Sequence, residues 1–411
     1  MVDHLGIDGG LDDHRRVAAV LASVVSSCAT GNGVNQLVDR VDPAVVTTVA
    51  ALPAVCIVGP LPPPSGGMAN QARQLSSLLK AEGVPVEFVQ TNAPCRPAWI
   101  GSIPMVRAVF RLCPYLVRLW LATGRADVVH VFANSGWAWH LFASPALAVA
   151  QLRGVPAIVN YRGGLADSFF ATAPRWVLRM LRGAALRVTP STYLQRVFGK
   201  FGLAAEVIPN IVDLSRFAFA PHRDHGAAPR IVVTRNLEKI YDIPLAIRVF
   251  RRVREAFPGA SLVIAGTGPE REALQSMVKD LTIDDAVRFT GRVDSADMPA
   301  LYAGADCMLN PSSVDNMPNS ILEAFACGVP VVSTDAGGIP DMAQHGVSAL
   351  LSPVGDEKAM TEHLLRVLRE PDLADSLRHA GLAEARKYDW PQVKQQWLAA
   401  YRRVARHEVA S

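Results

Sequence analysis

Short apolar runs recur along this chain, each followed by a stretch with helical spacing, and the series is laid down twice. That alternation constrains the fold more than any other feature. Parallel strands need a crossover between them, and the usual crossover is a helix that covers one face of the sheet. The first series starts with a strand at Val55-Cys-Ile-Val. A Pro/Gly loop follows over Gly59 to Gly67, then a helix over Ala69 to Ala81 and a strand over Val84 to Gln90. Further strands are predicted at Val128–Phe132, Ala157–Tyr161 and Arg187–Thr189. The second series opens at Arg230-Ile-Val-Val-Thr and continues with a helix over Pro244–Ala256 and a strand at Ser261–Ala265. A helix from about Glu270 and strands at Val287–Thr290 and Asp306–Asn310 complete it. The expected class is α/β, with two doubly wound, Rossmann-like domains facing a central cleft, a favoured place for ligands.

Within the second series one string stands out: Asp315-Asn-Met-Pro-Asn-Ser-Ile-Leu-Glu323, continuing through Cys327 and Gly328 to the Gly-Gly turn before Pro340. Asn316, Pro318, Asn319 and Ser320 are turn and capping types, and Ile321 to Cys327 reads as helix until Gly328 stops it. Val329-Pro-Val-Val-Ser then reads as a buried parallel strand. The start of such a helix can receive a diphosphate on its free N–H groups. The two carboxylates, eight residues apart, then lie near that crevice, one for ribose hydroxyls and one for a sugar. Taken singly, Asp315 would be a helix cap and Glu323 a surface carboxylate.

The chain has 411 residues, half of them hydrophobic, which suffices for two or three domains. Its six cysteines include no CxxC pair, so neither a zinc site nor a disulfide framework is indicated, and a reducing cytosol fits best. Residues 17–29 are apolar but follow an acidic stretch, which argues against a signal peptide. No run offers about 18 charge-free apolar residues for a membrane span. Charge is uneven: residues 51–220 carry sixteen Lys and Arg against six Asp and Glu, while each flanking segment has a net charge of −3. A basic middle attracts anionic surfaces or phosphate-bearing acceptors. A nucleic-acid partner is not expected, because the arginines lack an aromatic-basic recognition motif. Arg107, Arg111, Arg118 and Arg125 fall within about 40° on a helical wheel, a basic face suited to an anionic membrane surface or to plain solvent, with Pro114 expected to break the helix.

Several separated strings agree in order with one family. Pro62-Pro-Pro-Ser-Gly-Gly67 and Ile208-Pro-Asn-Ile-Val-Asp213 look like its first glycine loop and its domain-end motif. Leu262-Val-Ile-Ala-Gly-Thr-Gly-Pro-Glu270 and Phe289-Thr-Gly-Arg-Val293 look like its strand-end loops. Over roughly residues 54–405 the chain resembles a retaining GT-B glycosyltransferase of family four, the glycosyl transferases group 1 type. The resemblance implies an N-terminal extension over 1–50, an acceptor domain over 51–215 and a nucleotide-sugar domain over 216–388. A last helix within 389–411 would pack back on the first domain.

Carried over by position, Gly66 and Gly67 would bring backbone close to the donor diphosphate, where a Cβ would intrude. Arg235 and Lys239 would neutralise that diphosphate, although Lys239 precedes Ile240 where the family usually has a glycine. Gly266 and Gly268 would shape the neighbouring loop, Arg292 and Val293 would meet the nucleobase, and Asn319 and Ser320 would open the diphosphate helix. Glu323 would bind the ribose, and Asp315, standing where a glutamate is more usual, would sit near the sugar. On the acceptor side, Arg162 of Asn160-Tyr-Arg-Gly-Gly164 occupies the place of a histidine in many relatives. An arginine there would bind anionic groups rather than act as a base. His130 is a second acceptor-side candidate, with a structural role as the alternative for it and for His140.

The implied activity is transfer of a sugar from a nucleotide diphosphate donor, a UDP-sugar being expected, to a hydroxyl of a glycan or lipid-linked acceptor. Retention is implied, with no metal or other cofactor, in the cytoplasm or at the inner face of the membrane. The same cleft would also suit a nucleotide-sugar epimerase, a phosphorylase or a non-catalytic sugar-nucleotide binding protein. An NAD-linked oxidoreductase is disfavoured, since Ala265-Gly-Thr-Gly-Pro lacks the third glycine of the dinucleotide fingerprint.

Overall fold

The first series builds β1 (Val55–Gly59), α1 (Gly67–Ala81), β2 (Val86–Gln90), α2 (Pro104–Thr123), β3 (Val128–Ala133) and α3 (Ser144–Leu152). It goes on through β4 (Ala157–Tyr161), α4 (Ala166–Thr172), α5 (Arg175–Gly183), β5 (Leu186–Thr189), α6 (Thr192–Lys200) and β6 (Glu206–Val207). These elements come from a computed structural model that describes residues 52–63, 66–93, 104–219 and 228–406. The expected N-terminal extension, Pro64, Ser65, Cys28, Cys95 and the side chains of Arg107 and Arg111 lie outside the described residues.

The second series builds β7 (Arg230–Val233), α7 (Ile243–Ala256), β8 (Ser261–Ala265), α8 (Arg271–Asp280), β9 (Val287–Gly291), α9 (Met298–Ala303) and β10 (Cys307–Asn310). After these come α10 (Asn319–Ala326), β11 (Val331–Thr334), β12 (Leu350–Ser352), α11 (Glu357–Arg369), α12 (Pro371–Arg386) and α13 (Trp390–Arg406). The short strands β6 and β12 have no counterpart among the predicted strands; two or three residues are too few to show a period. The helix predicted from Ala69 begins at Gly67 instead, and α2 runs through Pro114 without a break.

Both sheets have six parallel strands, in the orders β2-β1-β3-β4-β5-β6 and β12-β11-β10-β7-β8-β9. Strands β1, β3 and β4 are buried at every position, as expected where helices cover both faces. In the second sheet the first strand of the series, β7, lies between β8 and β10. Chain order reverses there, and ligands of open α/β sheets collect at such a switch point, outside the carboxyl ends of the strands. Two apolar layers cover the sheet, one built on α7, α8 and α11 and the other on α10.

Local sequence explains the main boundaries. Asp242, in the left-handed region at φ 41°, starts α7 by accepting a hydrogen bond from Leu245 N at 3.3 Å. Gly328, at φ 68°, lies just past α10, where a left-handed residue releases the chain. Both sheets lie in one compact unit. Helix α13 returns to the first sheet, with Trp397 and Tyr401 fully buried against His130 of β3. Lys394 and Arg403 of α13 reach Glu82 at 3.2 Å and Glu206 at 2.7 Å.

Candidate functional site

Arg235 leaves the end of β7, and Ser312 and Asp315 leave the end of β10, so the switch point brings together residues far apart in sequence. The Arg235 guanidinium donates to Ser312 Oγ at 3.2 and 3.3 Å and pairs with the Asp315 carboxylate, and its Cζ lies 4.4 Å from the centre of the Tyr241 ring. Burial draws the pKa of Arg235 down from the usual arginine value, with nearby Tyr241, Tyr302 and Glu323 opposing that. Beneath the pair, Ser312 Oγ donates to Asn310 Oδ1 at 3.0 Å and Asn310 Nδ2 donates to Ser333 Oγ at 2.9 Å. Gly337, at φ 56°, packs on the Asp315 carbonyl so closely that a Cβ would collide with it, and Gly338 N donates to that same carbonyl at 3.2 Å.

Helix α10 begins beside this pair. Its N-cap is Pro318, which offers no side-chain acceptor, so the first-turn N–H groups have no capping side chain. The partial positive charge of a helix start therefore faces the crevice. The buried Ser320 hydroxyl has no hydrogen-bond partner among the described residues. One turn on, Glu323 Oε2 accepts from the Tyr302 hydroxyl at 3.2 Å, and that hydroxyl also meets Thr234 Oγ1 at 2.9 Å. Burial pushes the Glu323 carboxyl up to about 7, against the pull of the Tyr302 hydrogen bond, Arg216 and Arg235. Glu323 lines a cavity of about 300 Å³ together with Asn70, Gln74, Arg216, Ser295 and Asn319.

On the first-sheet side, Gly66 precedes α1 in extended backbone, and no described residue stands within 4 Å of where a Cβ would be. The Gly67 carbonyl accepts from Asn319 Nδ2 at 3.2 Å, joining the starts of α1 and α10. Arg162, after β4, donates from Nε to Asn160 Oδ1 at 3.2 Å and from Nη1 to Asn210 Oδ1. Asn210 Nδ2 in turn donates to Met317 O and Asn319 Oδ1, both at 2.7 Å. Gly164 sits against Val314, beside Asp315.

The structure corrects the acceptor-side reading of His130. It is fully buried between Phe132, Trp397 and Tyr401, hydrogen-bonded to Tyr401 at 2.7 Å and to Asn160 at 3.0 Å, so no acceptor can touch it. Burial pushes its pKa down to about 3. His140 lies half-buried among the rings of Trp137, Phe169 and Trp176.

Lys239 is exposed on a 3₁₀ turn and makes no ion pair among the described residues. Gly266 and Gly268 let their loop close onto the carbonyls of Arg235 and Leu237, which a Cβ at either would strike. Arg292 is exposed and 3.5 Å from Asp294, with Val293 half-buried beside it. Sequence reasoning passed over Ser312, Tyr302, Arg216 and Asn210. Asn210 lay within a quoted motif, and its signal was a lone amide between Pro209 and Ile211; the other three become visible only through the strand order.

Of the basic stripe expected on one helix, Arg118 is exposed on α2, whereas Arg125 lies past the helix end at Thr123 and is tied to Glu87 at 2.7 Å, and the side chains of Arg107 and Arg111 are outside the described residues. Among the described residues no helix is long and apolar enough to cross a membrane, and no group of three or more His, Cys, Asp or Glu side chains converges.

Two family models match in tandem: Glycosyltransferase Family 4 over residues 65–216 and Glycosyl transferases group 1 over residues 217–383. The phosphatidyl-myo-inositol mannosyltransferase of Mycobacterium leprae is 28% identical over 363 residues, spanning 83% of this chain and 94% of that protein. Glycogen synthase of Mycobacterium tuberculosis is 28% identical over 348 residues, spanning 79% of this chain and 80% of that protein. Sucrose-phosphate synthase from Thermosynechococcus elongatus superposes with a TM-score of 0.68 at 18% identity, covering 87% of this chain and all of that one. Anabaena HepE in complex with UDP-glucose superposes with a TM-score of 0.67 at 17% identity, covering 84% of this chain and 98% of that one. The superpositions carry the two-domain fold, the tandem models carry the family, and the chain belongs to the GT-B glycosyltransferases of family four, group 1, enzymes that transfer glycosyl groups.

Proposed function

We propose that the chain moves a hexosyl group from a UDP-sugar to a hydroxyl of a glycan or lipid-linked acceptor, with retention at the anomeric carbon. One observation carries this reading: the buried Arg235–Asp315 pair stands beside a helix start that no side chain caps, with Glu323 one turn further on. The diphosphate would lie against the α10 start and Arg235, the ribose against Glu323, and the sugar near Asp315. Gly66 and Gly67 would face the diphosphate, with Lys239 and Ser320 adding donors. Arg292 and Val293 would border the base, with Gly266 and Gly268 holding the loop between.

Anabaena HepE was crystallised with UDP-glucose, and the Mycobacterium leprae relative is named for mannosyl transfer to phosphatidyl-myo-inositol. These names support a nucleotide-sugar donor and a lipid-linked acceptor. In the transfer, the bond from the anomeric carbon to the β-phosphate oxygen breaks and the bond to the acceptor oxygen forms on the same face. The acceptor proton passes to the departing diphosphate, whose charge Arg235 and the helix start hold without a metal ion. Closing the cleft excludes water and limits hydrolysis.

The reaction belongs on the cytoplasmic side, at the inner membrane face when the acceptor is a lipid. Support comes from α2, where Arg118 shares a helix with the exposed Val117, Trp120 and Leu121. Flotation with anionic and neutral liposomes tests that surface, and equal behaviour with both would remove it.

Thermal stabilisation by UDP, GDP, ADP and their sugar conjugates, with and without magnesium, tests the donor. A magnesium-independent shift with the uridine compounds, lost in Glu323→Ala, is the expected result. Anomeric configuration of the product by NMR then decides retention, and an inverted product would overturn that part.

A further inference from the structure

Arg162 is a half-buried cation in no ion pair among the described residues, and its hydrogen bonds run to two side-chain amides. A guanidinium has donors only, so each amide must turn its oxygen toward it. The Asn160 amide is thereby oriented with Nδ2 toward His130 Nε2, which leaves the His130 Nδ1 proton for the Tyr401 oxygen. Asn210 is oriented in the same way, with Nδ2 toward Met317 O and Asn319 Oδ1. Asn319 then has Nδ2 free to donate to Gly67 O. A neutral side chain that both donates and accepts would leave the Asn160 amide free to flip and would untie Asn210 from the end of β4, leaving that amide held only through Nδ2 by Met317 O and Asn319 Oδ1.

We propose that Arg162 is a positioning residue of the transfer reaction: through Asn210 and Asn319 it locks the first turn of α10 against the start of α1. The lock runs from the first sheet, through the segment that joins the two series, to the helix of the second sheet, and back to Gly67. Its consequence for catalysis rests on the proposed role of α10 in receiving the donor diphosphate; the lock itself does not.

The test uses Arg162→Gln, Arg162→Lys, Asn210→Ala and the double variant Arg162→Gln with Asn210→Ala, all in the full chain. Two quantities are read: the affinity for UDP by calorimetry, and amide hydrogen exchange over residues 319–322 without ligand. Each single loss is expected to weaken UDP binding roughly 10-fold or more, the size of a lost charge-assisted hydrogen bond, and to speed exchange at the start of α10. The double variant is expected to be no worse than the worse single one, because both act on one path. Arg162→Lys, keeping the charge but not the fork, is expected to fall between Arg162→Gln and the wild type.

Unchanged UDP affinity in Arg162→Gln with a raised acceptor KM would overturn the proposal in favour of direct acceptor contact. Unchanged UDP affinity and unchanged exchange at 319–322 in Arg162→Gln, with or without a lowered melting temperature, would overturn it and leave Arg162 at most a purely structural role. Should the wild type bind none of UDP, GDP and ADP, the donor reading falls, and the exchange rates alone decide whether Arg162 holds α10.

Discussion

Arg235 and Asp315 meet as an ion pair at the β7/β10 switch point, with only 11% of each side chain exposed. Eighty residues of chain separate them, and the strand order alone makes them neighbours. The pair holds a guanidinium ready in the crevice without leaving a naked charge there, since an unpartnered buried ion is strongly disfavoured. Binding of a diphosphate would let Arg235 share its remaining donors while Asp315 keeps it in place.

Breaking the pair on one side is therefore expected to be worse than removing both partners. Arg235→Ala or Asp315→Ala each strands a buried charge and is expected to lower stability by about 3 kcal/mol, whereas Arg235→Met with Asp315→Leu is expected to recover most of it. Activity is expected to be lost in all three. Urea unfolding followed alongside turnover separates the two effects; full activity in the double variant would remove Arg235 and Asp315 from the site.

Glu323 gives a pH signature of definite sign. Its folded pKa of about 7 is raised above the usual carboxyl value of 4.5, chiefly by burial. Its favourable contribution to stability is thus complete below that lower value and is lost as pH rises through about 7. Glu323→Gln cannot ionise, so its stability relative to wild type is expected to improve steadily between about pH 4.5 and 7.5. Melting temperatures across that range check it, and a constant difference would contradict the buried setting of the carboxyl.

The fold was legible because its two signals are strong. Buried parallel strands such as Val128–Ala133 and Ala157–Tyr161 stand out as unbroken apolar runs, and Gly328 marks the end of α10 by chemistry only glycine supplies freely. Asp315 and Glu323 stood out in one string eight residues apart, Arg235 came only through the family resemblance, and the structure brings the three to one crevice. His130 was misread because a histidine in a strand looks the same whether it faces a cleft or a core. Its burial depends on Trp397 and Tyr401, which arrive from a helix some 270 residues later. Ser312 and Tyr302 carried no local pattern, and only the sheet order and the packing of α9 on α10 give them partners.

The glycines divide by what surrounds them. At Gly337 the backbone is left-handed and a Cβ would strike the Asp315 carbonyl, so Gly337→Ala is expected to lower both stability and activity. At Gly66 the backbone is extended and none of the described residues stands where a Cβ would go. Gly66→Ala is expected to change stability by less than about 0.5 kcal/mol while raising the donor KM, because the new methyl would occupy the diphosphate's approach. Thermal melts and donor titrations on the two variants check this. An unaltered KM in Gly66→Ala would place the diphosphate elsewhere.

Helix α13 is joined to the first sheet by a buried hydrogen bond whose loss has a calculable consequence. Tyr401→Phe removes the acceptor for the His130 Nδ1 proton, 2.7 Å away, and leaves a buried donor unmet, which is expected to cost about 1–3 kcal/mol. Trp397→Ala, opening a cavity beside the same ring, is expected to cost about 3–5 kcal/mol. The histidine adds a pH term of opposite sign to that of Glu323. Its folded pKa, pushed down to about 3 from 6.5, gives stability that is complete above 6.5 and is lost as pH falls toward 3. His130→Gln keeps an acceptor for Asn160 and a donor for Tyr401 but cannot titrate. Its stability relative to wild type is therefore expected to rise as pH is lowered from 6.5 to 4. Chemical unfolding at a series of pH values decides the matter: a difference independent of pH would mean that His130 takes up its proton as readily folded as unfolded, and the tautomer fixed through Asn160 would have to be abandoned.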